Sequence, residues 1–185
     1  MSEQVDDLTE ILAGRTAVLF GHSYGGNVAL AAAARLGSQI RGVATYESPL
    51  SWLEWWPTST AGAESIAVGP AEAAERFMVR LVGQETWDCL PERTREHRRR
   101  EGVALVGELG ALRAEAPWDA GSVHCPVRCG HGTMGSEHHA RGAKWLLDNL
   151  RLSTMVTIDG AGHGAPNSHP DAVATELILP LVGGG

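Results

Sequence analysis

The chain has 185 residues, 43% of them hydrophobic, and a formal net charge of −7. This length suits a domain with a sizeable core, and the negative charge argues against a nucleic acid or an anionic membrane surface as partner. No stretch approaches the roughly 18 to 20 apolar residues of a membrane span. The acidic start lacks the pattern of a secretory signal, and three cysteines make a disulfide framework improbable, so we expect a cytoplasmic protein.

The first part of the sequence alternates helical and strand patterns. Residues 5–12 have apolar side chains at helical spacing, whereas residues 16–20 and 40–46 are typical of buried strands. Between these strands, a glycine-rich turn leads into an alanine-rich helical pattern that ends at Gly37. The order strand, turn, helix, strand predicts two parallel neighbours in a sheet.

The second part adds two strands, residues 126–130 and 154–158, while residues 51–120 show helical patterns instead. Strands that alternate with helices predict a parallel sheet covered on both faces. An insertion after the carboxyl end of a strand would lie over the rim where ligands bind. We predict an α/β core of residues 1–50 and 121–185, with residues 51–120 as a helical cap insertion.

The turn after the first predicted strand has the sequence GHSYG, with Ser23 at its centre. Gly21 and Gly25 remove Cβ atoms that would collide where the chain reverses, which exposes the serine hydroxyl above the sheet. The backbone N–H of Tyr24 and the start of the helix lie beside it and can stabilise negative charge on an oxygen under attack. The pattern predicts Ser23 as a nucleophile and Tyr24 as an oxyanion donor.

A serine nucleophile needs a histidine to accept its proton and a carboxylate to orient that histidine. His163 lies in DGAGHGAP, directly after the last predicted strand, and this glycine-rich loop can bring the imidazole back over the sheet. Other histidines have simpler interpretations, and His138 and His139 start a predicted helix. His22, next to Ser23, either shapes the turn or lines a substrate pocket.

These motifs resemble the α/β-hydrolase superfamily in three respects: the GHSYGG turn, the late GAGHG histidine loop and the helical insertion between them. The resemblance covers nearly the whole chain. It implies an α/β-hydrolase-like parallel sheet and a hydrolase with a triad of serine, histidine and acid. In the commonest form of the superfamily the acid follows the strand before the histidine strand, but here Gly135 stands at that position and Glu137 follows two residues later.

A subset of the superfamily, which includes some haloalkane dehalogenases, places a glutamate after the strand that follows the serine turn. Glu47 resembles this arrangement, since it comes 24 residues after Ser23 and closes the predicted strand of residues 40–46. We predict Glu47 as the acid, with Glu137 and Asp159 as alternatives. Dehalogenase chemistry itself is disfavoured, because it needs an aspartate where Ser23 stands.

Three tryptophans, Trp52, Trp55 and Trp56, follow at helical spacing. They either line an apolar acyl or aryl pocket under the cap or serve ordinary packing within it. The histidines and cysteines of residues 124–131 do not predict a metal site, because alternation along a strand sends their side chains to both faces. We expect no metal, no cofactor and a small-molecule acyl substrate.

About fifteen residues precede the first predicted strand. The resemblance implies several earlier strands and a second oxyanion donor from an early loop, so we expect an N-terminally truncated form of the fold. Its first strand would be an exposed apolar edge that pairs with another chain, giving a homo-oligomer.

Two functions are therefore weighed. The leading hypothesis is a serine hydrolase that cleaves a carboxylic ester or related acyl bond through Ser23, His163 and Glu47. The alternative is a catalytically inactive or incomplete hydrolase fragment that needs the missing N-terminal part or a partner.

Overall fold

A computed structural model of the chain describes residues 1–60, 63 and 68–183. The chain divides into two compact units, Met1–Pro49 with Pro117–Gly185, and Leu50–Ala116. The first unit contains the strands, and the second contains helices. No helix among the described residues is long and apolar enough to cross a membrane.

Among the described residues, the sheet has four parallel strands in the spatial order of the sequence. They are β1 (Ala17–His22), β2 (Ile40–Tyr46), β3 (Val127–Gly132) and β4 (Ser153–Ile158). Because the strands are parallel, their carboxyl ends meet at one edge, which is where open α/β sheets bind ligands.

The helices connect the strands and form the second unit. They are α1 (Ser2–Leu12), α2 (Tyr24–Leu36), α3 (Pro70–Val82), α4 (Gln84–Cys89), α5 (Glu92–Arg100), α6 (Gly102–Ala114), α7 (Glu137–Asn149), α8 (Ala165–Ser168), α9 (Pro170–Ala172) and α10 (Leu179–Val182). Short 3₁₀ segments cover Gly37–Gln39 and Ala120–Ser122, and a π-helical turn covers Val173–Ile178.

The core of the first unit lies between the sheet and its helices. Helix α2 packs on β1 and β2, and α7 packs on β3 and β4. The π-helical turn packs on β2, β3 and β4, where a cluster of buried apolar side chains forms: Ala44, Tyr46, Val156, Ile158, Ala161, Ala165, Val173 and Leu177. Burial of these side chains fixes the strand ends from which the loops of the site depart.

The predicted α/β class with a parallel sheet is confirmed, and the predicted strand of residues 40–46 coincides with β2. The first strand extends two residues beyond the predicted 16–20, because Gly21 and His22 still pair with Thr45 and Tyr46. Glycine is a poor strand former in isolation. Pairing with the neighbouring strand therefore decides where β1 ends.

The second unit contains α3, α4, α5 and α6, and its described residues include no strand. Residues 51–60 form turns and bends, so the helical spacing inferred for the three tryptophans there was wrong. Pro57 directly follows Trp56, and a proline disfavours the helical conformation at the residue before it. The role of this unit as a cap remains a prediction.

Strand β1 forms one end of the described sheet, and Phe20 on it is 37% exposed. This agrees with the expectation of an exposed edge, while self-association through it remains a prediction. All three cysteines, Cys89, Cys125 and Cys129, are free thiols.

Candidate active site

Ser23 lies between β1 and α2 in a strained backbone conformation. Its φ of 53° and ψ of −127° place it outside the regions that non-glycine residues prefer, at a typical cost of about 1–3 kcal/mol. Its N–H donates a hydrogen bond to the Tyr46 carbonyl at 2.9 Å, and its carbonyl accepts one from the Gly26 N–H at 2.9 Å. Both neighbouring elements therefore hold the turn in place.

Two glycines make this turn sterically feasible. A Cβ on Gly21 would lie 2.3 Å from the Gly25 carbonyl oxygen, and a Cβ on Gly26 would lie 1.8 Å from Ser48 Oγ. By contrast, a Cβ on Gly25 would meet no atom within 4 Å. The prediction that Gly25 relieves crowding was therefore wrong. Gly26 is instead the residue that faces Ser48, in the segment after β2.

The segment after β2 is tied to helix α2 by a buried asparagine. Asn27 Nδ2 donates to the Pro49 carbonyl at 2.8 Å, and Asn27 Oδ1 accepts from Trp118 Nε1 at 3.0 Å. A buried amide with both ends satisfied fixes its surroundings, because leaving either end unpaired would cost about 1–3 kcal/mol. The hydrogen bond from Asn27 to Pro49 holds the segment that contains Glu47 against helix α2, which begins beside Ser23.

Glu47 is the first residue after β2, and its side chain is fully buried. Its φ of 48° lies in the left-handed region, and its N–H donates to the Gly130 carbonyl at 2.9 Å. Oε1 accepts from the Gly132 N–H at 3.1 Å, and Oε2 lies 2.8 Å from His163 Nδ1. The backbone at the end of β2 thus directs the buried carboxylate of Glu47 towards His163.

The charge state of Glu47 follows from these contacts. Burial acts to raise the pKa of this carboxyl, but the imidazoles of His139 and His163 beside it, with the hydrogen bond from the Gly132 N–H, hold the pKa well below its usual range. Glu47 is therefore an ionised carboxylate at neutral pH. An ionised acid at this place can orient and stabilise a protonated imidazole.

Gly135 leaves room for the Glu47 carboxylate. A Cβ on Gly135 would lie 2.1 Å from Glu47 Oε1. The alternative Glu137 is exposed in the first turn of α7, and the alternative Asp159 is exposed and accepts a hydrogen bond from Thr133 Oγ1 at 3.1 Å. The Glu47 carboxylate thus fills the space beside Gly135, and the contact of His163 with a carboxylate is with Glu47.

The loop that carries His163 is anchored on both sides. His22 Nε2 lies 2.7 Å from the His163 carbonyl, and the Tyr46 hydroxyl donates to the Gly162 carbonyl at 3.0 Å. A carbonyl only accepts hydrogen bonds, so His22 Nε2 carries a proton. Burial, with repulsion from His163, lowers the pKa of His22, so His22 is neutral at neutral pH. The structure thus gives His22 a contact with the histidine loop, while its role in a substrate pocket remains a prediction.

His139 is the residue of the site that sequence reasoning missed. Its Nδ1 lies 3.0 Å from Glu47 Oε2, and its ring is nearly parallel to that of His163, at 12° and 4.8 Å between centroids. The sequence interpretation placed His139 at a helix start, which is correct, since it lies in the first turn of α7. One sequence feature could have indicated this contact: His139 comes four residues after Gly135, in the segment after β3, and this segment starts at the same sheet edge as Glu47.

Glu47, His139 and His163 also raise the question of a metal, because their ligand atoms all lie within 4.8 Å of one another. Two imidazoles and a carboxylate suit Zn²⁺. However, a nitrogen lone pair lies in the plane of its ring, and two nearly parallel stacked rings do not direct both lone pairs at one ion. The arrangement favours a carboxylate that accepts hydrogen bonds from His163 and the Gly132 N–H over a metal site.

The three tryptophans that were candidates for a substrate pocket lie in the second unit. The rings of Trp55 and Trp56 are 5.7 Å apart, and Trp56 is buried. Aromatic contact of this kind contributes about 0.5–1.5 kcal/mol to packing. Contact of Trp52, Trp55 or Trp56 with a substrate remains a prediction.

The fold and the site together define a class of protein. A parallel sheet whose edge carries a serine on a strained turn between strand and helix, with a carboxylate and a histidine in contact nearby, is the arrangement of an α/β-hydrolase enzyme. The profile of the Alpha/beta hydrolase family matches residues 2–176. The chain belongs to this family and is a hydrolase.

Solved structures of the same fold cover most of the chain. An esterase from Exiguobacterium antarcticum is similar with a TM-score of 0.69 and 15% identity, over 98% of this chain and 72% of that one. MenH from S. aureus has a TM-score of 0.65 and 20% identity, over 96% of this chain and 73% of that one. A thermophilic esterase from Thermogutta terrifontis has a TM-score of 0.60 and 22% identity, over 93% of this chain and 68% of that one. At these identities the likeness shows a shared fold. No curated protein matches the chain by sequence.

Proposed function

We propose that the protein is a serine hydrolase that cleaves a carboxylic ester or related acyl bond through Ser23, His163 and Glu47. The observation that carries this proposal is the contact between the buried, ionised Glu47 and Nδ1 of His163, 2.8 Å apart. The naming of two similar structures as esterases supports an ester as the substrate class.

In the first half of the reaction, Ser23 Oγ attacks the carbonyl carbon while Nε2 of His163 accepts the hydroxyl proton. Glu47 keeps the other proton on Nδ1, which leaves Nε2 as the base. The N–H of Tyr24 and the N-terminus of α2 stabilise the oxyanion. The intermediate then breaks its bond to the alcohol oxygen, which takes the proton from His163 and leaves.

In the second half, water attacks the acyl carbon and gives its proton to Nε2 of His163. The bond to Ser23 Oγ breaks, the serine recovers its proton from His163, and the carboxylic acid is released. Glu47 stays ionised throughout, because its hydrogen bonds hold its pKa well below the usual range. Its negative charge stabilises the imidazolium formed in both halves.

Labelling with a fluorophosphonate probe tests the activated serine without a chosen substrate. We expect the wild type to be labelled and Ser23→Ala to lose the label completely, since the probe reacts with an activated serine oxygen. Ser48→Ala is the matched control, because Ser48 is a buried serine of the same unit, and this variant should keep the label.

Circular dichroism of each sample establishes that it is folded. A folded wild type that takes no label would contradict the proposal and favour the inactive or incomplete hydrolase. Labelling that persists in Ser23→Ala would move the nucleophile to another residue.

A further inference from the structure

Tyr46, the last residue of β2, is linked to each of the three residues proposed for catalysis. Its backbone carbonyl accepts the Ser23 N–H at 2.9 Å, and its hydroxyl donates to the carbonyl of Gly162, directly before His163, at 3.0 Å. Glu47 is the next residue along the chain. One residue thus connects the turn of the nucleophile, the acid and the loop of the base.

The Tyr46 side chain is held at its ring and at its hydroxyl. The ring is fully buried in the cluster of apolar side chains where the π-helical turn packs on the sheet. The hydroxyl lies against the backbone of Gly132, since a Cβ there would be 2.5 Å from Tyr46 Oη. A side chain packed in this way has little freedom to move its hydroxyl away from Gly162.

The hydroxyl of Tyr46 is the donor of this hydrogen bond. A carbonyl only accepts hydrogen bonds, so the proton in the bond to Gly162 belongs to the phenol. Burial, with the negative charge of Glu47, raises the pKa of Tyr46. The bond to the histidine loop therefore keeps its donor at neutral pH.

Three hydrogen bonds to two consecutive carbonyls fix the loop around His163. The Gly162 carbonyl accepts a second bond, from the Ala165 N–H at 3.1 Å, which fixes the shape of the loop itself. The His163 carbonyl contacts His22 Nε2 at 2.7 Å, which ties the loop to β1. The bond from Tyr46 ties the loop to β2, the strand that leads directly to the acid.

We propose that Tyr46 is a positioning residue, which holds the loop of His163 where the imidazole meets both Glu47 and Ser23. The role rests on the proposed hydrolase function. A base accepts a proton only within hydrogen-bond reach of the donor, and a misplacement of about 1 Å costs about 100-fold in rate. Tyr46 thus acts on the reaction through the position of His163.

The rate and the final extent of fluorophosphonate labelling separate positioning from loss of structure. Tyr46→Phe keeps the packed ring and removes the donor, while the Gly162 carbonyl keeps its bond from Ala165. We expect this variant to reach the wild-type extent of labelling at a rate about tenfold lower, because His163 accepts the Ser23 proton from a displaced position. An unchanged rate would overturn the proposal, whether the extent is unchanged or lower.

Thr45→Val is the matched control for this measurement. It removes a buried hydroxyl from the preceding residue of β2, whose side chain lies on the opposite face of the sheet. It should label at the wild-type rate and extent. Equal slowing in Thr45→Val and Tyr46→Phe would show a general sensitivity of β2 and contradict the role of the Tyr46 hydroxyl.

Steady-state kinetics on an ester found by screening gives a second readout. Tyr46→Phe should lower kcat about tenfold with little change in KM, because the displaced base slows the chemical step and the contacts that bind the substrate remain. Thr45→Val should change neither constant. A rise in KM with an unchanged kcat would contradict the proposal, since it would place Tyr46 in substrate binding.

Hydrogen exchange measured by mass spectrometry tests the anchor without turnover. In Tyr46→Phe, the amides of residues 159–169 should exchange about tenfold faster than in the wild type, while those of β4 and α2 should be unchanged. Unchanged exchange in the loop would show that the hydroxyl does not hold it. Faster exchange throughout the unit would indicate a loss of global stability, and either result would overturn the proposal.

The measurements also distinguish this proposal from the hydrolase function. A wild type that takes no label, while the loop of Tyr46→Phe exchanges faster, would reject the hydrolase function and keep the anchor of the loop. A labelled wild type with an equally fast Tyr46→Phe variant would reject only the role of Tyr46. If Tyr46→Phe does not fold, Tyr46→Met replaces it, because methionine fills irregular space and has no donor.

Discussion

The loops after β2 and after β3 reach the same sheet edge but supply different things. The loop after β2 carries Glu47, buried and with a left-handed backbone, whereas the loop after β3 carries Gly135 and leads to the exposed Glu137 at the start of α7. A Cβ on Gly135 would lie 2.1 Å from Glu47 Oε1, so the two loops compete for one volume. The comparison indicates that the contact with His163 depends on where a carboxylate lies in space and not on which strand precedes it.

The largest expected effect comes from removing the charge of the β2 acid. Glu47→Gln keeps the shape of the side chain but no longer stabilises the correct tautomer and the cation of His163, so kcat should fall about 10³ to 10⁴-fold. Steady-state kinetics on an ester found by screening measures this loss. The sharpest contrast is Glu137→Gln, which changes an exposed residue in the first turn of α7 and should leave kcat near the wild-type value.

Equal losses of kcat in Glu47→Gln and Glu137→Gln would contradict the prediction that only the carboxylate after β2 acts on His163. A large loss in Glu137→Gln alone would transfer the role of the acid to the loop after β3. Thermal unfolding of both variants excludes a global loss of structure as the cause.

A smaller effect is expected from filling the space beside the carboxylate. Gly135→Ala places a methyl group against Glu47 Oε1 and must displace the carboxylate from His163, which should lower kcat about 10 to 100-fold. Activity and the melting temperature measure the result. Gly107→Ala in α6 is the matched control, because a Cβ there meets no atom within 4 Å, and it should leave activity unchanged. Full activity in Gly135→Ala would show that the two loops do not compete.

The smallest effect concerns the anchor of the histidine loop at the end of β1. His22→Phe keeps the ring but loses the hydrogen bond to the His163 carbonyl, so kcat should fall about fivefold, as expected for a bond worth about 1 kcal/mol. His22→Gln offers an amide nitrogen near the place of Nε2 and should recover most of the activity. The idea fails if the two variants are equally active.

Local patterns predicted much of this molecule. The apolar run of residues 40–46 gave a strand with the observed bounds, and the glycine-rich turn around Ser23 gave the junction between strand and helix. Glu47 was predicted from its resemblance to a subset of the α/β-hydrolases, and the structure brings it into contact with His163. The strand and turn predictions succeed because their signals reside in a few consecutive residues.

Other features depend on neighbours that are distant in the sequence. Gly26 is crowded by Ser48, Asn27 bonds to Trp118, and His139 faces Glu47 across the sheet edge. A histidine at a helix start has the same local pattern whether its ring points to solvent or to a buried carboxylate. No periodicity or motif records that difference.

The sequence by itself determined the parallel α/β sheet and the turn at Ser23, because backbone sterics and hydrophobic periodicity act locally. Only the tertiary structure decided which carboxylate meets His163, because Gly135 leaves that space to Glu47. It also decided that His139 Nδ1 lies 3.0 Å from the same carboxylate. Both outcomes follow from the packing of parallel strands, which brings together loops that lie far apart along the chain.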